Sequence, residues 1–317
     1  GTSGSSGSSG SSGTSGASGP IGPYEYFAPG DEDSGIQPVS GSNSANGCWS
    51  TIAGGQNNSM AGSCKWGFIG GGYSNSANVC AVGQVVVGGY DNSASGTTSA
   101  KKGDYNFIGG GCENKNVGGV AAIVAGRNNT ITGCGIGGGF TGASGSFIGA
   151  GANNEIINGC CSLIGAGNDN CINNANNSVI VGGTLNTSSA NFTFIGGGSC
   201  NQATALNSSV VGGTKNTASA ACSFIGGGFS NKTSGNMSSI VGGDRNVASG
   251  FAGFIGGGQS NTISTSYYGF IGGGYNNSNS GYYGFIGGGI SNSNSGYCSA
   301  IVGGYSNTIS GGYQNLS

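Results

Sequence analysis

The chain has 317 residues, 74 of them glycine, and only 18 charged side chains (8 basic, 10 acidic) for a net charge of −2, with no histidine. Glycine inside a helix costs about 1 kcal/mol relative to alanine, so long helices are excluded. Charges this sparse and balanced exclude a nucleic-acid footprint, and no apolar run approaches the roughly 18 residues of a membrane-inserted helix.

In chain order, residues 1–22 come first. Gly1, Gly4, Gly7, Gly10, Gly13, Gly16, Gly19 and Gly22 fall on a strict period of three. Only glycine fits at the axis of three wound polyproline-II strands, so this reads as a collagen-like Gly-X-Y segment; the alternative is a flexible Gly/Ser linker. The chain shows no signal peptide, and its start reads as a processed or partial end. Residues 23–46 hold three of the four prolines and four of the ten acids, and read as a connector.

From residue 47 to 317 the sequence repeats. A β-branched anchor recurs at Ile52, Ile69, Val86, Ile108, Ile123, Ile136, Ile148, Ile164, Ile180 and onward to Ile301, 17 times in all. The spacing is 15 or 16 from Ile164 on and 12 to 22 before it. Three residues after each anchor stands a glycine; six after stands an asparagine in 16 of 17 units, the exception being Gly142. A unit of about 15 residues fits neither a helical pair nor a single strand. It predicts one coil of an all-β, parallel β-solenoid (a β-roll or β-helix) made of two short strands and two turns, about 17 coils long. The asparagine column, Asn201, Asn216, Asn231, Asn246, Asn261, Asn277, Asn292 and Asn307 in the regular half, is expected to form a structural amide ladder.

Position −1 is often phenylalanine, as at Phe194, Phe224, Phe254, Phe270 and Phe285, and position −3 is Trp49, Trp66, Tyr268, Tyr283 or a similar residue. Positions −1 and −3 share one face of a strand and the anchor takes the other, so both faces are apolar. One face fills the coil; the other calls for a second copy of the chain. With the collagen-like segment this gives an expected homotrimer, its core lined by those five phenylalanines.

Units such as SSIVGGDRNVASG (238–250) and CSFIGGGFSNKTSG (222–235) resemble the head β-rolls of trimeric autotransporter adhesins. They share the Ile-Gly step and the closing Ser-Gly, and differ in the double or triple glycine and in the asparagine. Gly-X-Y triplets followed by FIGGG-x-x-N units resemble the collagen-like and β-helical fibre proteins of tailed bacteriophages, of marine and cyanophage type. That resemblance implies a tail or capsid fibre at the virion surface, engaged in host attachment. Its partners would be itself, other virion proteins and a host-surface glycan or protein, with neither nucleic acid nor membrane insertion. The alternative is a bacterial cell-surface adhesin or extracellular filament; a polysaccharide depolymerase and an ice-binding protein rank below both.

Site chemistry is thin. Ser or Cys nucleophiles need a base, and with no histidine only scattered lysines and carboxylates remain, so no catalytic residue and no cofactor is expected. Among carboxylates in the repeats only Asp91 and Glu113, on consecutive units, are close enough in sequence to pair across a groove. Asp31, Glu32 and Asp33 lack calcium-loop spacing and read as solvated linker charge. The 11 cysteines are an odd number and show no paired zinc spacing; Cys48, Cys64 and Cys80, 16 apart, are expected to stack on successive coils. Tyr275 and Tyr305, four residues after their anchors, are the candidate glycan contacts, whereas Tyr268 and Tyr283 at −3 are expected to point inward. Counting 15 on from Ile301 reaches Leu316, which predicts that the native polypeptide continues past Ser317.

Overall fold

The computed structural model describes residues 27–29, 36–38, 42–61, 64–78, 82–96, 105–133 and 145–311. Each coil contributes two strands. Anchor strands such as Phe194–Ile195, Ser209–Val210 and Phe224–Ile225 pair parallel and in register to form sheet A. Gln202–Ala203, Thr217–Ala218 and Lys232–Thr233 do the same in sheet B. No helix occurs among the described residues. The molecule is an all-β parallel β-solenoid of about 15-residue coils, 16 anchor rungs from Ile52 to Ile301. At about 4.8 Å per rung it is a rod roughly 75 Å long.

The rung count corrects the expected 17. Ala122–Ile123 pairs directly with Phe147–Ile148, and Thr130–Thr132 with Glu155–Ile157, so no rung separates them. Ile136 lies outside the described residues. The first rungs start within residues 23–46: Ile36–Pro38 joins sheet A against Thr51, and Ser44–Ala45 opens sheet B. Phe27–Pro29 runs antiparallel to Ile36–Pro38 and covers an edge that would otherwise template further strand pairing. The collagen-like segment and Asp31, Glu32 and Asp33 lie outside the described residues.

Four inward columns fill the coil. The anchors, from Ile52 to Ile286, are fully buried, as are the apolar residues at +8, among them Ile131, Ala203, Ala218 and Ile263. The other two columns are polar: Asn at +6, and mostly Ser or Thr at −2 in the middle of the rod. Buried amides need partners, and here the neighbouring rungs supply them. Asn246 Nδ2 donates to the Gly242 carbonyl at 3.1 Å and to the Gly258 carbonyl of the next rung at 2.9 Å. Its Oδ1 accepts the Asn261 backbone N–H at 2.9 Å, and its own N–H goes to Asn231 Oδ1 at 2.9 Å. The same bonds recur from Asn201 through Asn307. At −2 a serine plays the corresponding part: Ser178 N–H donates to Ser162 Oγ at 3.2 Å, and Ser178 Oγ donates to Ala190 O at 3.0 Å.

The glycine at +3 belongs to this device. Gly243 has φ +96°, and a methyl group there would lie 2.1 Å from the Gly258 carbonyl oxygen and 2.5 Å from Asn246 Nδ2. The ladder and the glycine therefore come together: the side chain that glycine lacks would occupy the space of the amide and of the next rung.

The turns correct the expectation for −3. Anchor strands are two residues long, −2 points into the coil, and −3 is a corner in the left-handed region, as in Phe192 (φ 58°), Cys222 (56°), Tyr268 (58°) and Tyr283 (54°). A second left-handed corner falls at +5, as in Cys200 (57°) and Arg245 (54°). At both corners the peptide turns its N–H along the rod, Cys222 to Leu206 O and Cys200 to Thr184 O, each at 2.9 Å. Each coil is thus two similar halves, with Asn at +6 in one and Ser at −2 in the other. Side chains at −3 project outward: Trp49 is 59% exposed and Tyr283 52%.

Candidate functional site

With the interior closed, interaction chemistry falls to the outer surface, and its two sheets differ. On sheet A the outward columns are −1 and +1. Each phenylalanine at −1 has glycine at +1, as in Phe194/Gly196 and Phe224/Gly226; each valine at +1 has a smaller or equal apolar residue or serine at −1, as in Ser209/Val211. The backbone of the next rung, more than the ring, excludes a side chain at these glycines. Phe194 Cε1 lies 3.4 Å from where a methyl on Gly196 would sit, and the Val211 carbonyl oxygen would be 2.3 Å from it. Fourteen of the 16 rungs thus present either one ring laid across glycine or a valine at +1, which levels the face; the exceptions are Thr51/Ala53 and Leu163/Gly165. No charged residue occurs in either column on the 16 rungs. The five phenylalanines of the sequence reading stand here, pointing away from their own coil and partly exposed, with Phe194 at 37%.

Sheet B is hydroxylic. Its outward +7 column carries Thr187, Thr217, Thr262 and Thr308, interrupted by Lys115, Glu155, Cys171, Gln202, Lys232 and Val247. The +9 position is serine or threonine on every rung from Ser189 to Ser310. The rod is amphipathic across its width, apolar on one sheet and water-binding on the other.

One edge changes along the rod. At −4 and −3 the middle rungs carry Leu206 and Asn207, Ala221 and Cys222, then Asn236 and Met237. Toward the C-terminal end the −4 column becomes Phe251, Tyr267, Tyr282 and Tyr297, with ring centroids 5.4, 5.1 and 6.2 Å apart. Beside it Tyr268 and Tyr283 are parallel at 5.4 Å. The two rows meet nearly at right angles: Phe251 to Tyr268 at 83° and Tyr283 to Tyr297 at 75°. Next to them Phe254, Phe270 and Phe285 stack without interruption, at 5.3 and 5.0 Å. A shorter aromatic stack, Trp49 on Trp66 at 5.6 Å, occupies the N-terminal −3 column.

Sequence reasoning missed this edge because it placed Tyr268 and Tyr283 on one strand face with the phenylalanines at −1, turned toward the trimer core. The signal that would have corrected it is the −2 column, whose run of Ser178, Thr193, Ser208, Ser223 and Ser238 marks a small inward residue just before the strand. Tyr275 and Tyr305 sit at +4 and are exposed, at 49% and 74%. Asp91 and Glu113 occupy the +5 corner on successive rungs, both exposed to water. Cys48 and Cys64 do not stack: Cys48 bridges Lys65, because the local coil is 17 residues long and a 16-residue spacing slips by one. Cys64 instead lies inside, its Sγ donating to Ala77 O at 3.1 Å. Cys80 is outside the described residues. Burial, and the Glu155 carboxylate one rung away, push the Cys171 thiol pKa above its usual value. No group of metal-ligating side chains forms among the described residues. No protein-family model matches the chain, and no curated protein matches it.

Proposed function

We propose that this chain is the subunit of a homotrimeric fibre on the virion of a tailed bacteriophage, serving as shaft and in host attachment. The observation that carries the reading is the levelled, uncharged outer face of sheet A, running along all 16 rungs. Such a face left in water is an association surface. At roughly 75 Å by about 10 Å it offers on the order of 750 Å² per chain, close to the half-share of a standard protein interface. The Gly-X-Y triplets of residues 1–22 favour three copies over two, because a collagen-like rope has three strands. Phe194, Phe224, Phe254, Phe270 and Phe285 then line the shared core. The hydroxylic sheet B faces solvent, and exposed Tyr275 and Tyr305 are glycan contacts on the fibre surface. Light scattering of the intact chain tests the assembly: three copies are expected, and a stable monomer overturns it. Peptides of the chain in purified phage particles test the location, and their absence overturns the virion role.

A further inference from the structure

We infer that the aromatic edge formed by Phe251, Tyr267, Tyr282, Tyr297, Tyr268 and Tyr283 is a binding strip for an uncharged glycan laid along the rod. The inference rests on the attachment reading and narrows it to a place and a ligand class. Three observations lead to it.

First, the fold does not require these rings. Asn191, Leu206, Ala221 and Asn236 hold the same −4 corner and accept the same axial backbone hydrogen bond that Phe251, Tyr267 and Tyr282 accept. At −3 the left-handed backbone suits asparagine and disfavours a bulky side chain, yet Tyr268 and Tyr283 have φ 58° and 54°. Asn207, Cys222 and Met237 hold the same corner in the same conformation, so the corner does not call for a ring, and exposed rings that the fold does not call for point to a surface role.

Second, the ring geometry leaves faces open. Parallel rings in van der Waals contact are only about 3.5 Å apart, whereas these centroids are 5.1 to 6.2 Å apart within a row. The rings are therefore not packed tightly face to face, and Tyr267, Tyr268, Tyr282 and Tyr283 stay 45%, 51%, 45% and 52% exposed. Two such rows set at a steep angle to each other make a corrugated strip with about one step per rung. The C–H face of a pyranose ring sits on such an aromatic face, and the phenol hydroxyls meet its hydroxyl groups.

Third, charge selects the ligand. From Asn246 to Ser317 there is no Asp, Glu, Lys or Arg. An acidic glycan or a phosphate would find no cation to pair with, and a basic partner no anion. A neutral hexose polymer loses nothing by that absence.

The test uses the full chain in native gels containing a dextran, a mannan or a galactan, with alginate as the acidic control. Retardation by at least one neutral polysaccharide and none by alginate is expected. Tyr268→Asn with Tyr283→Asn should weaken that retardation at least tenfold while the melting temperature and native mass stay the same. Tyr282→Asn, at a position where the fold already uses asparagine, should give a smaller loss and serves if the double variant does not fold. Met237→Asn, on the same edge in the middle of the rod, should bind as the wild type does. The inference is overturned if none of the neutral polysaccharides retards the protein, if alginate retards it equally, or if the tyrosine variants bind unchanged. It is also overturned if those variants lose copies in native mass, which would make the strip a contact between chains. Neither a monomeric wild type nor absence from virions would alter the gel result, so failure of the fibre reading and failure of this one remain distinguishable.

Discussion

The rungs between Phe194 and Val241 and those between Phe251 and Cys298 share three interior columns, at the anchor, +3 and +6, and wear different exteriors. Inside, both have a buried anchor, a buried asparagine at +6 and a positive-φ glycine at +3. Outside, the first set alternates Phe194, Ser209, Phe224 and Ser239 over an edge of Leu, Cys, Met and Asn. The second has three consecutive phenylalanines beside two rows of aromatic rings. Because backbone pairing is the same in both, the exterior difference is not a folding requirement. The interior should answer to mutation alike in the two regions, and the exterior should not.

The largest effect is expected at the +3 glycines. Gly213 (φ +86°) and Gly258 (φ +84°) would each place a methyl group 2.2 and 2.1 Å, respectively, from the carbonyl oxygen of the next rung. Gly213→Ala and Gly258→Ala should each cost about 3 kcal/mol or more, by equal amounts, in urea unfolding of the full chain. If one region accepts alanine, the shared interior is not shared. Next come Asn231→Ala and Asn277→Ala. Each removes two hydrogen bonds to backbone carbonyls, one of which keeps a backbone donor, and leaves the buried N–H of the following asparagine without its acceptor. A loss of about 2 kcal/mol is expected at both, and a difference greater than about 1 kcal/mol would show that the ladder is weaker in one part of the rod.

How much of this was legible in the sequence follows from which positions the fold constrains tightly. Gly at +3 and Asn at +6 are demanded by contacts between successive rungs, so they recur and could be read by counting. The anchor column was legible for the same reason, and so was the outward direction of −1. The −3 column was misread because period-two logic assumes a strand that continues, while this coil turns after two residues. A left-handed corner does not announce itself when its occupants range from Asn207 to Cys222 to Met237 to Tyr268. Ile136 was misread for the opposite reason: it matched the local pattern of an anchor, whereas pairing across rungs decides which isoleucines stack. The aromatic edge stayed hidden because tyrosines at −4 and −3 become neighbours only when the corner is known.

On the outer face, Phe224 is flanked in register by Ser209 and Ser239, whereas Phe270 lies between Phe254 at 5.3 Å and Phe285 at 5.0 Å. Replacing each by serine removes similar area, but only Phe270→Ser also breaks two ring contacts. It should therefore destabilise the chain by about 1 kcal/mol more than Phe224→Ser. Equal losses would mean that the continuous phenylalanine stack adds nothing to a single chain and is there for a neighbour.

The smallest effect discriminates most finely. Met237 (φ 59°) and Tyr283 (φ 54°) occupy the same left-handed corner on rungs with different outer neighbours. Asparagine tolerates that conformation, so Met237→Asn should stabilise the chain by about 1 kcal/mol. Tyr283→Asn gains the same backbone relief but gives up its contacts with Tyr268 at 5.4 Å and Tyr297 at 6.0 Å, so its net change should be near zero. If Tyr283→Asn instead costs more than about 2 kcal/mol, which stacking of this kind does not supply, the tyrosine rows are part of what holds the end of the rod together. The rows are then not surplus to the fold, and neither a recognition role nor the contrast between the two regions survives.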